Sequence, residues 1–176
     1  AGERMLAAHD GEVPALEVLN QAAEVLRADD DDERALILLA MADVYYALSE
    51  HDEAARAVDR ALERGEPATA HRIRAQNIIG KIAYSRGRFD EAAKIFLENQ
   101  ERAEASEHDH LALQARVNRG LAEFNLRNYE DAREILERAL SETRAAGDIN
   151  YEALALVNLG VICQRTSDIG RSIRYF

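Results

Sequence analysis

The sequence predicts an all-α protein built as a right-handed superhelical solenoid of stacked helix-turn-helix units, and three observations carry that expectation. Gly80, Gly120 and Gly160 lie 40 residues apart, each inside a stretch that otherwise reads as amphipathic helix. A glycine in a helix interior costs about 1 kcal/mol relative to alanine, so three on one period imply a packing requirement. Other landmarks keep the beat: His51, Phe89, Tyr129 and Ile169 are separated by 38, 40 and 40 residues, and Ala54, Ala92, Ala132 and Ser172 by the same intervals. The only prolines, Pro14 and Pro67, lie between apolar-periodic segments, and runs of alternating β-branched residues are missing, which excludes a sheet protein.

The elements follow in order. Val13-Pro14 opens a helix with Leu16, Leu19, Ala23 and Leu26 in phase. It stands where the second helix (B) of a repeat belongs, and residues 1–9 read as the tail of a truncated first helix (A), giving an incomplete repeat over 1–27. Repeat 1 (34–67) has helix A over 34–48 and helix B over 52–64, closed by Gly65 and Pro67. Repeat 2 (71–105) has helices over 71–86 and 89–102, joined through Gly87. Repeat 3 (111–147) is the best preserved. Val117, Gly120, Leu121 and Phe124 mark its first helix, Arg127-Asn128 breaks the pattern, and Ala132, Ile135, Leu136, Ala139 and Leu140 line one face of the second. Gly147 suits the residue just past that helix, and Asp148 the start of the next. Repeat 4 (151–176) has a helix over 151–165 and begins another near Ile169.

Composition narrows the function. Hydrophobic residues make up 47% of 176 residues, enough for a core, yet Trp is absent and aromatics are 6%; alanine supplies small contacts that let helices approach closely. The net charge of −11 argues against nucleic acid, whose phosphates need a basic face. No apolar run nears the roughly 20 residues that span a bilayer, so the expectation is a cytoplasmic protein without a membrane partner. Cys163 is the single cysteine, which excludes an internal disulfide. The chain opens at Ala1 and stops at Phe176 in mid-helix, and so reads as a fragment of a longer protein.

The repeat resembles the tetratricopeptide unit, a helix-turn-helix with a W-x2-L-G-x2-Y…A-x3-F…P signature. Residues 158–160 read N-L-G, residues 87–96 read G-R-F-D-E-A-A-K-I-F, and residues 52–62 read D-E-A-A-R-A-V-D-R-A-L. Ala42, Gly80, Gly120 and Gly160 fall at the family's close-packing site on helix A, and Ala54, Ala92, Ala132 and Ser172 at its counterpart on helix B. Departures are the missing Trp, Ser172, Asn99 where an alanine is usual, and Arg116 and Arg119 at positions often apolar. The 38–40-residue period is similar to the longer form found in kinesin light chains, Pins-type adaptors and MalT-like regulators.

That resemblance implies a non-catalytic scaffold binding a peptide or protein on a concave wall lined by helix A. Carried over by position, the groove residues are Leu36, Leu39, Asp43 and Tyr46 from repeat 1; Arg74, Asn77, Lys81 and Tyr84 from repeat 2; Gln114, Val117, Asn118, Leu121 and Phe124 from repeat 3; and Leu154, Val157, Asn158, Val161 and Gln164 from repeat 4. Asn118 and Asn158 hold one repeat position and Asn77 sits one residue off it. An amide both donates and accepts, so these either grip a peptide backbone or bond within the stack. Arg74 and Lys81 either dock an acidic group or pair with a neighbour such as Asp43. Leu39 and Asp43 stand where a carboxylate clamp would want Lys and Asn, which excludes that subtype. The alternative function is a sensory or regulatory segment of a larger bacterial signalling or transcription regulator. Self-association through an uncovered face of repeat 4, around Ile169, Ile173 and Phe176, is also expected.

No cofactor or metal is expected. Asp29 to Asp32 and Glu33 run consecutively without the glycine and alternation of a calcium loop, and read as a solvated linker feeding a helix N-terminus. His108-Asp109-His110 lacks a third ligand and falls in what reads as a surface loop, ERAEASEHDH. Cys163, on an apolar helix face, reads as a buried small hydrophobe. Nothing assembles a nucleophile, a base and an oxyanion donor, so catalysis is not expected.

Overall fold

A computed structural model of the chain describes residues 31–63 and 68–175. The incomplete repeat expected over 1–27, the Gly65–Pro67 closure and Phe176 lie outside them. Among the described residues there are eight helices and no strand. They are α1 (Asp31–Ala47), α2 (His51–Leu62), α3 (Thr69–Ser85), α4 (Phe89–Ala105), α5 (Asp109–Asn125), α6 (Tyr129–Ala146), α7 (Ile149–Arg165) and α8 (Ile169–Tyr175). The four landmarks His51, Phe89, Tyr129 and Ile169 each open a B helix. Each A helix begins two to four residues earlier than its apolar pattern. The expected loop ERAEASEHDH is a correction: Glu101–Ala105 continue α4, and His110 already lies in α5. Alanine and glutamate favour helix, and no breaker stands before Ser106.

Six of the turns, those among the described residues, close the same way. Ser49, Gly87, Arg127 and Ser167 end the A helices with φ of 64°, 73°, 65° and 61°, and Glu107 and Gly147 end α4 and α6 with φ of 57° and 70°. In each case the next residue's N–H reaches back five residues, as Glu50 N to Tyr45 O (2.9 Å) and Asn128 N to Glu123 O (3.0 Å). The left-handed residue itself bonds three residues back, as Ser49 N to Tyr46 O (2.9 Å). This double bond pattern satisfies carbonyls that the helix end would leave orphaned. Four of the six left-handed positions carry a side chain, and a non-glycine there is strained by about 1–2 kcal/mol. Ser49→Gly, Glu107→Gly and Arg127→Gly are therefore each expected to stabilise the protein by about 0.5–1 kcal/mol, measured as a raised urea midpoint at unchanged slope. Loss of stability in all three would contradict this account of the turns.

The chain divides into two compact units, residues 1–82 and 83–176. In the first, Leu38, Leu39, Met41 and Ala42 of α1, Ala54, Ala57 and Val58 of α2, and Ala75, Ile78 and Ile82 of α3 form one core. Leu39, assigned to the wall, is fully buried there, whereas Leu36 is 45% exposed. Asp32 of the acidic run caps a neighbour: its Oδ1 accepts from Ala68 N at 3.0 Å, just before α3.

In the second unit Ala83, Ala92, Ala93, Phe96 and Ala122 form one cluster. Leu113 and Val117 of α5, Ala132, Leu136 and Ala139 of α6, and Ala155, Leu159 and Ile162 of α7 form another. The small-residue register has its physical reason here. A Cβ placed on Gly120 would stand 2.7 Å from Leu136 Cγ and 2.8 Å from its Cδ2. Ala54, Ala92 and Ala132 are fully buried. Ser172, the polar departure, is buried too, and its hydroxyl donates to Gly160 O at 3.2 Å. Cys163 is buried as expected, and burial raises its thiol pKa. Ile173 is 73% exposed on α8.

Candidate functional site

In the first unit Asp43 of α1 faces α3 and takes both cations assigned to the wall. Arg74 Nη2 donates to Asp43 Oδ2 at 2.8 Å and Lys81 Nζ to Asp43 Oδ1 at 2.9 Å. Lys81 Nζ also lies 4.7 Å from the ring centroid of Tyr46, where the ring's π-face attracts it. The pairing alternative is the one the structure takes. Arg74, Lys81 and Asp43 stay half-exposed, so the spot carries one net positive charge instead of two. Asn77 is 7% exposed and is withdrawn from the wall. It sits one residue off the repeat position of the other amides, and one helical residue turns a side chain by about 100°.

The aromatic residues assigned to the wall recur at one repeat position, and each meets the first residue of its own B helix. Tyr46 stacks on His51 with ring centroids 5.6 Å apart. Tyr84 meets Phe89 edge-on at 5.3 Å, and Phe124 meets Tyr129 at 5.7 Å. Part of each ring therefore clasps its own hairpin, and such contacts contribute about 0.5–1.5 kcal/mol beyond area burial. Tyr84 is engaged further: Asn125 Nδ2 donates to its hydroxyl at 2.8 Å and to Leu121 O at 2.9 Å. Sequence reading missed Asn125, although it stands 41 residues after Tyr84, close to one period.

The A helices α5 and α7 of the second unit are in contact. Val117, assigned to the wall, is fully buried in the core between α5, α6 and α7, because its position on α5 turns inward toward Leu136. Leu121 and Phe124 are half-buried, and Val157 is 51% exposed. Asn118 and Asn158 are half-buried at the same repeat position. Asn158 Nδ2 donates to Leu154 O at 2.8 Å, which leaves its carbonyl oxygen able to accept.

Two arginines, Arg116 and Arg119, flagged by sequence only as departures from the family pattern, lie on a different stripe of α5. Asp109, Ala112, Arg116 and Arg119 follow i, i+3, i+7 and i+10 spacing, away from Asn118 and Leu121. Arg116 is 5% exposed and pairs with Glu104 of α4 and Glu142 of α6. Burial and the nearby Arg138 hold its guanidinium below the ordinary arginine range. A cavity of about 670 Å³ between α4, α5 and α6 runs beside it, with Leu113 and Ala145 among its lining. His110 lies 3.6 Å from Asp148 and 2.8 Å from Gln114. Among the described residues no cluster of three or more His, Cys, Asp or Glu could hold a metal, and no helix is long and apolar enough to cross a membrane.

Helical hairpins recurring every 38–40 residues, joined by one turn geometry and packed through small residues at fixed positions, define a helix-turn-helix repeat protein. Residues 71–141 match the tetratricopeptide repeat family, and the resemblance read from the sequence holds for that stretch. No curated protein matches the sequence. Solved structures of similar fold include the following three. The Rap conjugation gene regulator of plasmid pLS20, in complex with the Phr* peptide, is 17% identical with a TM-score of 0.81, covering 99% of this chain and 49% of that one. The apo form of PlcR from Bacillus thuringiensis is 11% identical with a TM-score of 0.80, covering 97% and 66%. Aspartyl phosphate phosphatase F from Bacillus subtilis is 18% identical with a TM-score of 0.76, covering 84% and 39%. At these identities the likeness is one of fold, and the chain spans less than two thirds of the length of each.

Proposed function

We propose that this chain is a non-catalytic, cytoplasmic interaction module that binds a peptide or protein segment along the A-helix face of α5 and α7. One observation carries the reading. Val157 is half-exposed on α7 next to Asn158 in the chain, and half-buried Asn118, Leu121 and Phe124 lie on the neighbouring A helix α5. An apolar strip edged with amides suits an extended chain: the strip takes side chains, and the Asn158 carbonyl oxygen accepts a backbone N–H. The Rap regulator bound to its Phr* peptide supports peptide as the ligand class. The acidic balance of the chain speaks against nucleic acid at this face. The word phosphatase belongs to the Bacillus subtilis protein, of which this chain covers 39%.

Selection from a random linear peptide library displayed on phage tests the proposal. Peptides enriched on the parent protein are expected to lose about tenfold or more in affinity for Asn118→Ala/Asn158→Ala and for Val157→Asp. Helicity and melting temperature should stay unchanged, because all three side chains are at least partly exposed. No enrichment, or equal affinity for both variants, would remove the α5–α7 face as the site. The regulatory reading draws on the likeness to PlcR and the Rap regulator. A DNA-binding, ATPase or kinase domain on the same polypeptide would favour it, and further repeats alone would favour the scaffold.

A further inference from the structure

We propose that the cleft between α4, α5 and α6 is a binding site for a small zwitterion, with free α-amino acids as the fitting class. Gln100 of α4, Arg116 and Arg119 of α5, and Asp131, Glu134 and Arg138 of α6 line a cavity of about 240 Å³. It lies within the second unit and on a different stripe of α5 from the peptide face, so it does not depend on that reading.

Two buried polar atoms on residues that line this cleft lack a protein partner. Gln100 is 8% exposed; its Nε2 donates to Glu104 Oε1 at 2.9 Å, while its Oε1 accepts nothing. Arg119 Nε is buried and donates to nothing. Leaving a buried polar group unmet is unfavourable, and a ligand that meets it recovers that cost on binding. The ligand must bring an acceptor to Arg119 and a donor to Gln100 at once.

The charges impose the same demand. Arg116 is committed to Glu104 and Glu142, and Arg138 Nε donates to Glu142 at 3.1 Å. Among the described residues Arg119, Asp131 and Glu134 form no ion pair, although all three line the one cleft. A cation on α5 therefore stands across the cleft from two carboxylates on α6, with no bond between them. A bare oxyanion would satisfy Arg119 but face both carboxylates and the Gln100 oxygen. A bare ammonium would do the reverse. A molecule with a carboxylate next to an ammonium satisfies both sides, its carboxylate on Arg119 and its N–H groups toward Gln100 Oε1, Asp131 and Glu134. The volume lies below the roughly 300–1,000 Å³ of drug-sized sites, and Ile135 is the apolar residue at its edge.

The test is thermal melting followed by circular dichroism with each of the standard L-amino acids at about 10 mM, then calorimetric titration of any that shift the midpoint. Sodium acetate, methylammonium chloride and sodium phosphate are run alongside. At least one amino acid is expected to raise the midpoint saturably, and the single-charge probes are not. Arg119→Gln and Glu134→Gln are each expected to weaken that binding about tenfold or more; using two variants keeps the test alive if one fails to fold. The proposal is overturned if no amino acid shifts the midpoint, if acetate or phosphate shifts it as much, or if a folded variant binds as the parent does.

Discussion

Replacing Gly120 with valine is expected to destabilise the protein by about 3 kcal/mol, and with alanine by about 1 kcal/mol. The alanine figure is the difference of two effects. A Cβ at Gly120 falls 2.7–2.8 Å from Leu136 and 3.3 Å from Ile135 Cγ2, and overpacking of this kind costs about 1–3 kcal/mol. Alanine regains about 1 kcal/mol of helix propensity, so strain wins narrowly. Valine adds two more carbons to the same contact and loses most of the propensity gain. Leu136 is fully buried and has no free side to move into. Gly170→Ala is the control: the nearest neighbour of its Cβ is Asp168 Oδ1 at 4.0 Å, so no loss is expected. Urea unfolding of the three variants decides it. A Gly120→Val protein as stable as the parent would show that the 40-residue glycine period has no packing basis.

Truncation of Arg116 to alanine is expected to lower stability by about 2 kcal/mol. Its guanidinium is the only cation paired with both Glu104 and Glu142 among the described residues, joining α4 to α6 across α5. Removing one partner of a buried ion pair costs about 3–5 kcal/mol. The figure is reduced here because the Glu104 and Glu142 side chains are 43% and 36% exposed and water can solvate them once freed. Arg116→Met separates the contributions: it keeps the packing of the stem and removes the charge, and should recover part of the loss. Alanine and methionine variants of equal stability would show that the stem contributes nothing. An alanine variant as stable as the parent would show that the bridge contributes nothing either.

The periodic features were legible because they answer to local rules. The B-helix starts at His51, Phe89, Tyr129 and Ile169, the small residues at Ala54, Ala92 and Ala132, and the buried Cys163 all follow from apolar spacing and residue size. The left-handed turns were half legible. Gly87 and Gly147 announce positive φ, but Ser49, Glu107, Arg127 and Ser167 do not, since their strain is met by the helix-end bonds and by hairpin packing. The A-helix wall was the least legible part. Asn77 and Val117 were assigned to it by position and are buried. The faces of a helix packed on several sides differ by less than the 100° per residue that a pattern resolves.

By itself, then, the sequence determined the all-helical class, the 38–40-residue unit and the hairpin boundaries to within a few residues. Those depend on propensity and spacing along one chain. Only the tertiary structure decided what the charged and polar side chains do. Asp43 meets Arg74 31 residues away and Lys81 38 residues away. Arg116 bridges two helices that are not its own, and Arg119 is left facing a cleft without an acceptor. Whether a charge is paired, bridging or waiting depends on which distant groups come within about 4 Å of it, where its interaction energy changes most steeply with distance. No spacing rule along the chain carries that information.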